Sequence, residues 1–132
     1  MTAIVRPAII ADAVRLAVLA NRTFIETFVQ DLKIPYPETD LGGFLAHANS
    51  LEAMERRIGD PAIGVWVAEA QGALVGYAIA GPADLDFADV QLGDGMLYRL
   101  YLLRNQHGQG LGRRLMDEVL AWLASAYGPA IA

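Results

Sequence analysis

A chain of 132 residues and 14.2 kDa, 55% apolar and 19% charged with 6 prolines, is one compact domain over residues 1–132, not a disordered chain or a large multidomain enzyme. Ten Lys and Arg against fifteen Asp and Glu give a net charge of −5; with no basic run, this argues against nucleic acid, and the acidic surface either attracts cationic small molecules or only maintains solubility. The absence of Cys excludes disulfides, thiolate nucleophiles and Cys-ligated zinc; with no apolar leader at the N-terminus and no uninterrupted apolar run of about 18 residues, the chain reads as cytoplasmic, with no membrane partner.

Residues Ala3 to Pro7 start as a strand, and Pro7 stops it. From Ala11 to Phe28 apolar residues recur at helical spacing, giving a helix whose face is read as Val14, Ala17, Val18, Phe24, Ile25 and Phe28 and whose end carries TFIETF. Asp31 to Glu38, with Pro35 and Pro37, reads as a loop. A helix weakened by Gly42 and Gly43 follows, with a face of Leu41, Phe44, Leu45 and Ala48. Ser50 then caps a short helix through Ile58, stopped by Gly59 and Pro61. Beyond Pro61 the period becomes two: strands around Val65 to Glu69 and Leu74 to Ala80 join through Gln71 and Gly72 as an antiparallel hairpin. Gly81 to Gly95 is an acidic loop whose Asp84, Asp86, Asp89 and Asp94 lack calcium-loop spacing, so no metal is expected. Met96 to Leu103 is a strong strand, and from about Gly110 to Tyr127 a helix presents Leu111, Leu115, Val119, Trp122, Leu123 and Ala126.

Between that strand and that helix stands HGQGLG. The first turn of a helix leaves N–H groups without partners, and glycines keep side chains out of a ligand's way, so strand, glycine-rich turn and helix form a phosphate-binding architecture. Gly108, Gly110 and Gly112 supply the glycines, and Arg113 and Arg114 follow to neutralise a diphosphate. A nucleoside triphosphate loop would need Lys where Arg113 stands, and a dinucleotide fingerprint would need a third glycine there. Both therefore fail.

The stretch LYRLYLLRNQHGQGLGRRLMDEVLAWL resembles the acyl-CoA pyrophosphate signature of the GNAT superfamily of N-acetyltransferases, with Gly110 and Gly112 on its two small positions and His107 where Gln or Arg is usual. TFIETF, FLAHANSLEAMERRI and WVAEAQGALVGYA look most like the branch that includes bacterial polyamine acetyltransferases. The resemblance implies an α/β (α+β) three-layer fold, with a central mixed, mostly antiparallel sheet flanked by helices. It implies acetyl-CoA as co-substrate, no metal, and a small primary amine as acceptor. Backbone groups of Leu100 and Leu102, with Tyr101 between them, would pair with the pantetheine arm. The turn from His107 and Gly108 leads to amides of Gln109, Gly110, Leu111, Gly112 and Arg113 that would cradle the pyrophosphate. The Leu102 N–H would polarise the thioester carbonyl.

The attacking amine must lose a proton, and the candidate bases are Glu26, near the end of the first helix, and Tyr98, on the central strand; a water chain serves equally. Phe24 and Phe28 either wall the acceptor pocket, with Glu26, Asp31 and Asp40 drawing in a cationic amine, or are plain core. His47 reads as a surface residue. In the superfamily a further strand, helix and strand pair follow the binding helix, and that helix often supplies a tyrosine that protonates the thiolate. The sequence reaches Ala132 as GPAIA enters that strand, so the expected fold is truncated before its last strands; either a partner chain, as in a homodimer, covers the open side, or the natural chain continues. Tyr127 lies too far along the helix to replace that tyrosine. The alternative reading is a catalytically weak acyl-CoA-binding or interaction module.

Overall fold

The computed structural model describes residues 3–25, 49–83, 95–103, 110–127 and 130–131. Its strands β1 (Ile4–Pro7), β2 (Gly64–Ala70), β3 (Ala73–Pro82), β4 (Gly95–Leu102) and β5 (Ala130–Ile131) form one mixed sheet in that spatial order. The first four are antiparallel, and β5 runs parallel to β4, pairing Gly95 with Ala130 and Met96 with Ile131. Helices α1 (Ala13–Phe24) and α2 (Leu51–Gly59) cover one face and α3 (Leu111–Ala126) the other, which is the three-layer α/β arrangement anticipated above.

Strand periodicity sorts the two faces. Trp66 turns towards α3 and meets Trp122 edge-on at 5.4 Å. Its neighbour Val67, paired with Tyr77, points the opposite way, so Tyr77 is buried beneath α1 and α2. The hairpin between β2 and β3 closes through Gln71 (φ 53°) and Gly72 (φ 81°), two positive-φ residues whose twist matches that of paired strands. In the short helix α2, Ser50 Oγ accepts from the Ala53 N–H at 3.1 Å.

Helix α1 is entered through a 3-10 turn at Ile10–Asp12, where buried Asp12 accepts from the Ile9 N–H at 2.8 Å. Both guanidinium nitrogens of Arg6 reach this carboxylate, at 2.8 and 3.0 Å, and Arg15 adds a contact at 3.0 Å. Arg6 beside it holds the Asp12 carboxyl down at a pKa of about 2. Arg15 also reaches Glu69 of β2 at 3.3 Å, so one charged cluster joins β1, α1 and β2.

Helix α1 buries a different face from the one its apolar spacing indicates. Ala13, Leu16, Leu19, Ala20 and Thr23 are buried, whereas Val14 and Val18 are 60% and 64% exposed. Apolar residues encircle this helix, so spacing alone does not choose the seam; Asp12 and Arg15, anchored to β1 and β2, set the rotation. Val14 and Val18 instead border an open cleft of about 340 Å³ with Leu74 and Leu103. On α3, Leu111, Leu115, Val119 and Leu123 are buried as expected, but Ala126 is exposed at the last turn.

Candidate active site

The site is organised by β4 and the head of α3. Leu103 donates to the Val75 carbonyl at 2.9 Å, so by antiparallel alternation the Tyr101 peptide also faces β3. The peptide groups of Leu100 and Leu102 then face away from β3, towards the side where β5 lies beside Gly95 and Met96. The ladder is irregular between Ile79 and Ala80: Arg99 pairs with Ile79 and Leu97 with Ala80, leaving Tyr98 as the extra residue of a β-bulge. A bulge bends its strand and re-aims the side chains around it. Gly76 lets β4 lie close, because a Cβ there would stand 2.4 Å from Leu102 Cδ2.

At the head of α3, Gly110 is the N-cap, in the left-handed region at φ 77° and ψ 3°. It has no side chain to cap the helix, and nothing lies within 4 Å of where its Cβ would stand. The first intrahelical bond runs from the Arg114 N–H to the Gly110 carbonyl at 3.1 Å. Among the described residues, therefore, the amides of Leu111, Gly112 and Arg113 have no acceptor. This is a fit for a diphosphate: three donors, the positive end of a 16-residue helix and an exposed Arg113. Leu111 itself is buried as the first anchor of α3, and Gly112 faces Leu102, with its Cβ position 3.5 Å from Leu102 Cδ1. Arg114 does not join Arg113 as the sequence indicated; its Nη1 donates to the Ala3 carbonyl at 2.8 Å, at the edge of β1.

Of the residues singled out for catalysis and acceptor binding, Tyr98 is half-buried in the bulge, with its hydroxyl donating to the Pro82 carbonyl. Phe24 closes α1, half-buried. Glu26, Phe28, Asp31, Asp40, His47, His107, Gly108 and Gln109, together with the acidic loop carrying Asp84 to Asp94, lie outside the described residues. Tyr127 sits at the far end of α3, packed on Trp122 at 5.6 Å and donating to the Ala62 carbonyl at 2.6 Å. No group of three metal-ligating side chains occurs among the described residues. None of their helices is long and apolar enough to cross a membrane.

Sequence reasoning missed a polar cluster under β4. Arg99 Nη1 donates to Oδ1 of buried Asn49 at 2.6 Å. Beside it Tyr77 is buried, its ring 5.8 Å from that of Tyr101, and burial pushes the Tyr77 phenol pKa up although Arg99 and Thr23 reach its hydroxyl. Arg57 of α2 adjoins this cluster. The available signal was an arginine inside the otherwise apolar strand MLYRLYLL.

A five-stranded mixed sheet whose fourth strand precedes an N-terminally uncapped helix offers main-chain donors suited to an anion such as a diphosphate. The chain belongs to the GNAT family of acetyltransferases: the sequence model of the acetyltransferase (GNAT) family matches residues 25–128. It is accordingly an acetyl-CoA-dependent acetyltransferase. Among solved structures it is similar to the PaiA N-acetyltransferase of Thermoplasma acidophilum in complex with coenzyme A, with a TM-score of 0.76 and 20% identity over 95% of this chain and 74% of that one. It is also similar to a GCN5-related N-acetyltransferase of Ralstonia eutropha JMP134, with a TM-score of 0.71 and 18% identity over 98% and 82% of the two chains. An acetyltransferase of Vibrio fischeri aligns with a TM-score of 0.68 and 20% identity over 96% and 89%. At these identities the likeness concerns the fold. Comparison with curated proteins finds no match.

Proposed function

We propose that the protein transfers the acetyl group of acetyl-CoA to a primary amine of a small molecule by direct attack. The observation that carries this reading is the trio of open amides on Leu111, Gly112 and Arg113 behind a left-handed Gly110. They would bind the pyrophosphate, with Gln109 and the His107–Gly108 turn completing the cradle. The outward peptide groups of Leu100 and Leu102 would then hold the pantetheine arm as an added strand. Along β4 that arm runs from Leu102 back towards the bulge at Tyr98.

Catalysis follows from placement. The amine nitrogen forms a bond to the thioester carbonyl carbon, the outward Leu100 N–H at the acetyl end of the arm stabilises the developing oxyanion, and the C–S bond then breaks to release CoA thiolate. The ammonium proton passes to Glu26, directly or through water, and Phe24 and Phe28 flank the acceptor. Tyr98 is a weaker base because its hydroxyl already donates to Pro82. The test is free-thiol release from acetyl-CoA across a panel of small amines. Amine-dependent release supports the reading; tight CoA binding with no thiol release from any amine leaves only an acyl-CoA-binding module.

A further inference from the structure

Cofactor binding leaves the polar cluster on the α1–α2 side of β4 without a task. Resting on the acetyl transfer just described, we propose that Arg99 and Arg57 form an anion subsite for the acceptor. The acceptor would then be a small amine that also carries a carboxylate, such as an amino acid or a close analogue, and not a polyamine.

A half-buried guanidinium normally sits beside a carboxylate, as Arg6 does with Asp12 and Glu69. Among the described residues Arg57 and Arg99 form no ion pair. Arg99 has only neutral partners, Asn49 Oδ1 at 2.6 Å and the Tyr77 hydroxyl, and Arg57 has the Met54 sulfur at 3.5 Å. Burial, and the like charge of Arg99 beside it, lower the pKa of Arg57. Two cations near one another with no counter-ion among the described residues are an arrangement that an incoming anion relieves.

Position decides which anion. Arg99 lies three residues before Leu102, roughly 10 Å back along the strand from the diphosphate end, and next to the outward Leu100 peptide. Its side chain is on the face opposite α3, with Tyr77, Tyr101 and the last turn of α1 containing Thr23, so the diphosphate does not reach it. The acetyl end of the donor and the acceptor meet at this stretch of β4. A planar carboxylate matches the guanidinium fork, and Asn49 fixes the Arg99 head before any ligand arrives. A di- or polycationic amine would instead meet two like charges.

The test measures thiol release with acetyl-CoA and matched acceptors: glycine, β-alanine and γ-aminobutyrate against their carboxamides, and putrescine and spermidine. We expect kcat/KM for at least one carboxylate to exceed that of its carboxamide by tenfold or more. Arg99→Gln should erase this preference by raising KM for the acid while KM for acetyl-CoA stays within twofold, and Arg99→Lys should recover part of it. If Arg99→Gln fails to fold, Arg57→Gln provides the same reading. Carboxamides or polyamines turned over as well as the acids would overturn the subsite and leave the transferase reading standing. So would a preference that survives both Gln variants. Absence of thiol release from every amine removes the proposed function, and this inference with it.

Discussion

Replacing Gly110 separates the ligand's requirement from the fold's. At φ 77° and ψ 3° an L-residue is strained, so Gly110→Ala should lower stability by about 1–2 kcal/mol, or Tm by roughly 4–8 °C. No clash adds to this, because the new methyl meets nothing within 4 Å. That empty space is where a diphosphate must lie against the amides of Leu111, Gly112 and Arg113. Losing one charge-assisted hydrogen bond there is worth about 1.5–3 kcal/mol, a weakening of CoA binding by roughly 10- to 150-fold. Gly112→Ala is the control. Its φ is not positive, its Cβ would point to Leu102 at an ordinary 3.5 Å, and a helical Gly→Ala change gains up to about 1 kcal/mol. It should therefore match or exceed the parent in stability and keep its CoA affinity within twofold. Calorimetric titration with CoA and urea unfolding of the three proteins measure both quantities. Gly110→Ala binding CoA as tightly as the parent, or Gly112→Ala losing affinity to the same extent, would refute the cradle.

Three further outcomes follow from the geometry. The Asp12 carboxyl is held at about 2, below its ordinary 3.8, so its contribution, on the order of 2 kcal/mol, is complete above pH 5 and disappears as pH falls through 2. Asp12→Asn should lower stability at pH 7 and flatten that acid limb; an unchanged pH dependence of urea unfolding would exclude Asp12 as its source. Tyr98→Phe keeps the ring and removes the bond to Pro82, so stability should fall by about 1 kcal/mol with kcat within threefold, whereas a kcat loss of a hundredfold or more would make Tyr98 the base. Glu26→Gln should remove the acidic limb of the kcat/KM profile; normal activity across pH would take Glu26 out of the mechanism.

Elements defined by chain-local rules were legible in the sequence. Ser50 capping, the Gln71–Gly72 turn and the strand before HGQGLG each depend on a few adjacent residues, and the structure places all three within a residue or two of their expected bounds. The burial of α1 was not legible, because Val14 and Val18 fit a helical stripe as well as Leu16 and Leu19 do. What separates the two stripes is the ion cluster that joins Asp12 to Arg6 of β1 and Arg15 to Glu69, 54 positions away. The bulge at Tyr98 was also hidden, since a bulge is a mismatch between two strands and β4 alone carries no sign of it.

The same distinction explains why donor binding is easier to read than acceptor binding. Diphosphate recognition uses main-chain amides, so its requirements are few and local: small residues, a strand before and a helix after. The proposed acceptor site would use side chains brought together from β3, β4, α1 and the Asn49–Arg57 region, which no single motif spans. The trace it leaves in sequence is a residue out of keeping with its element. Arg99 is such a residue: an apolar side chain in its place would continue the pattern of MLYRLYLL and remove the cost of partly desolvating a charge. A fold that retains a half-buried charge against that gradient either pairs it internally or uses it on a ligand, and among the described residues the internal pair is absent.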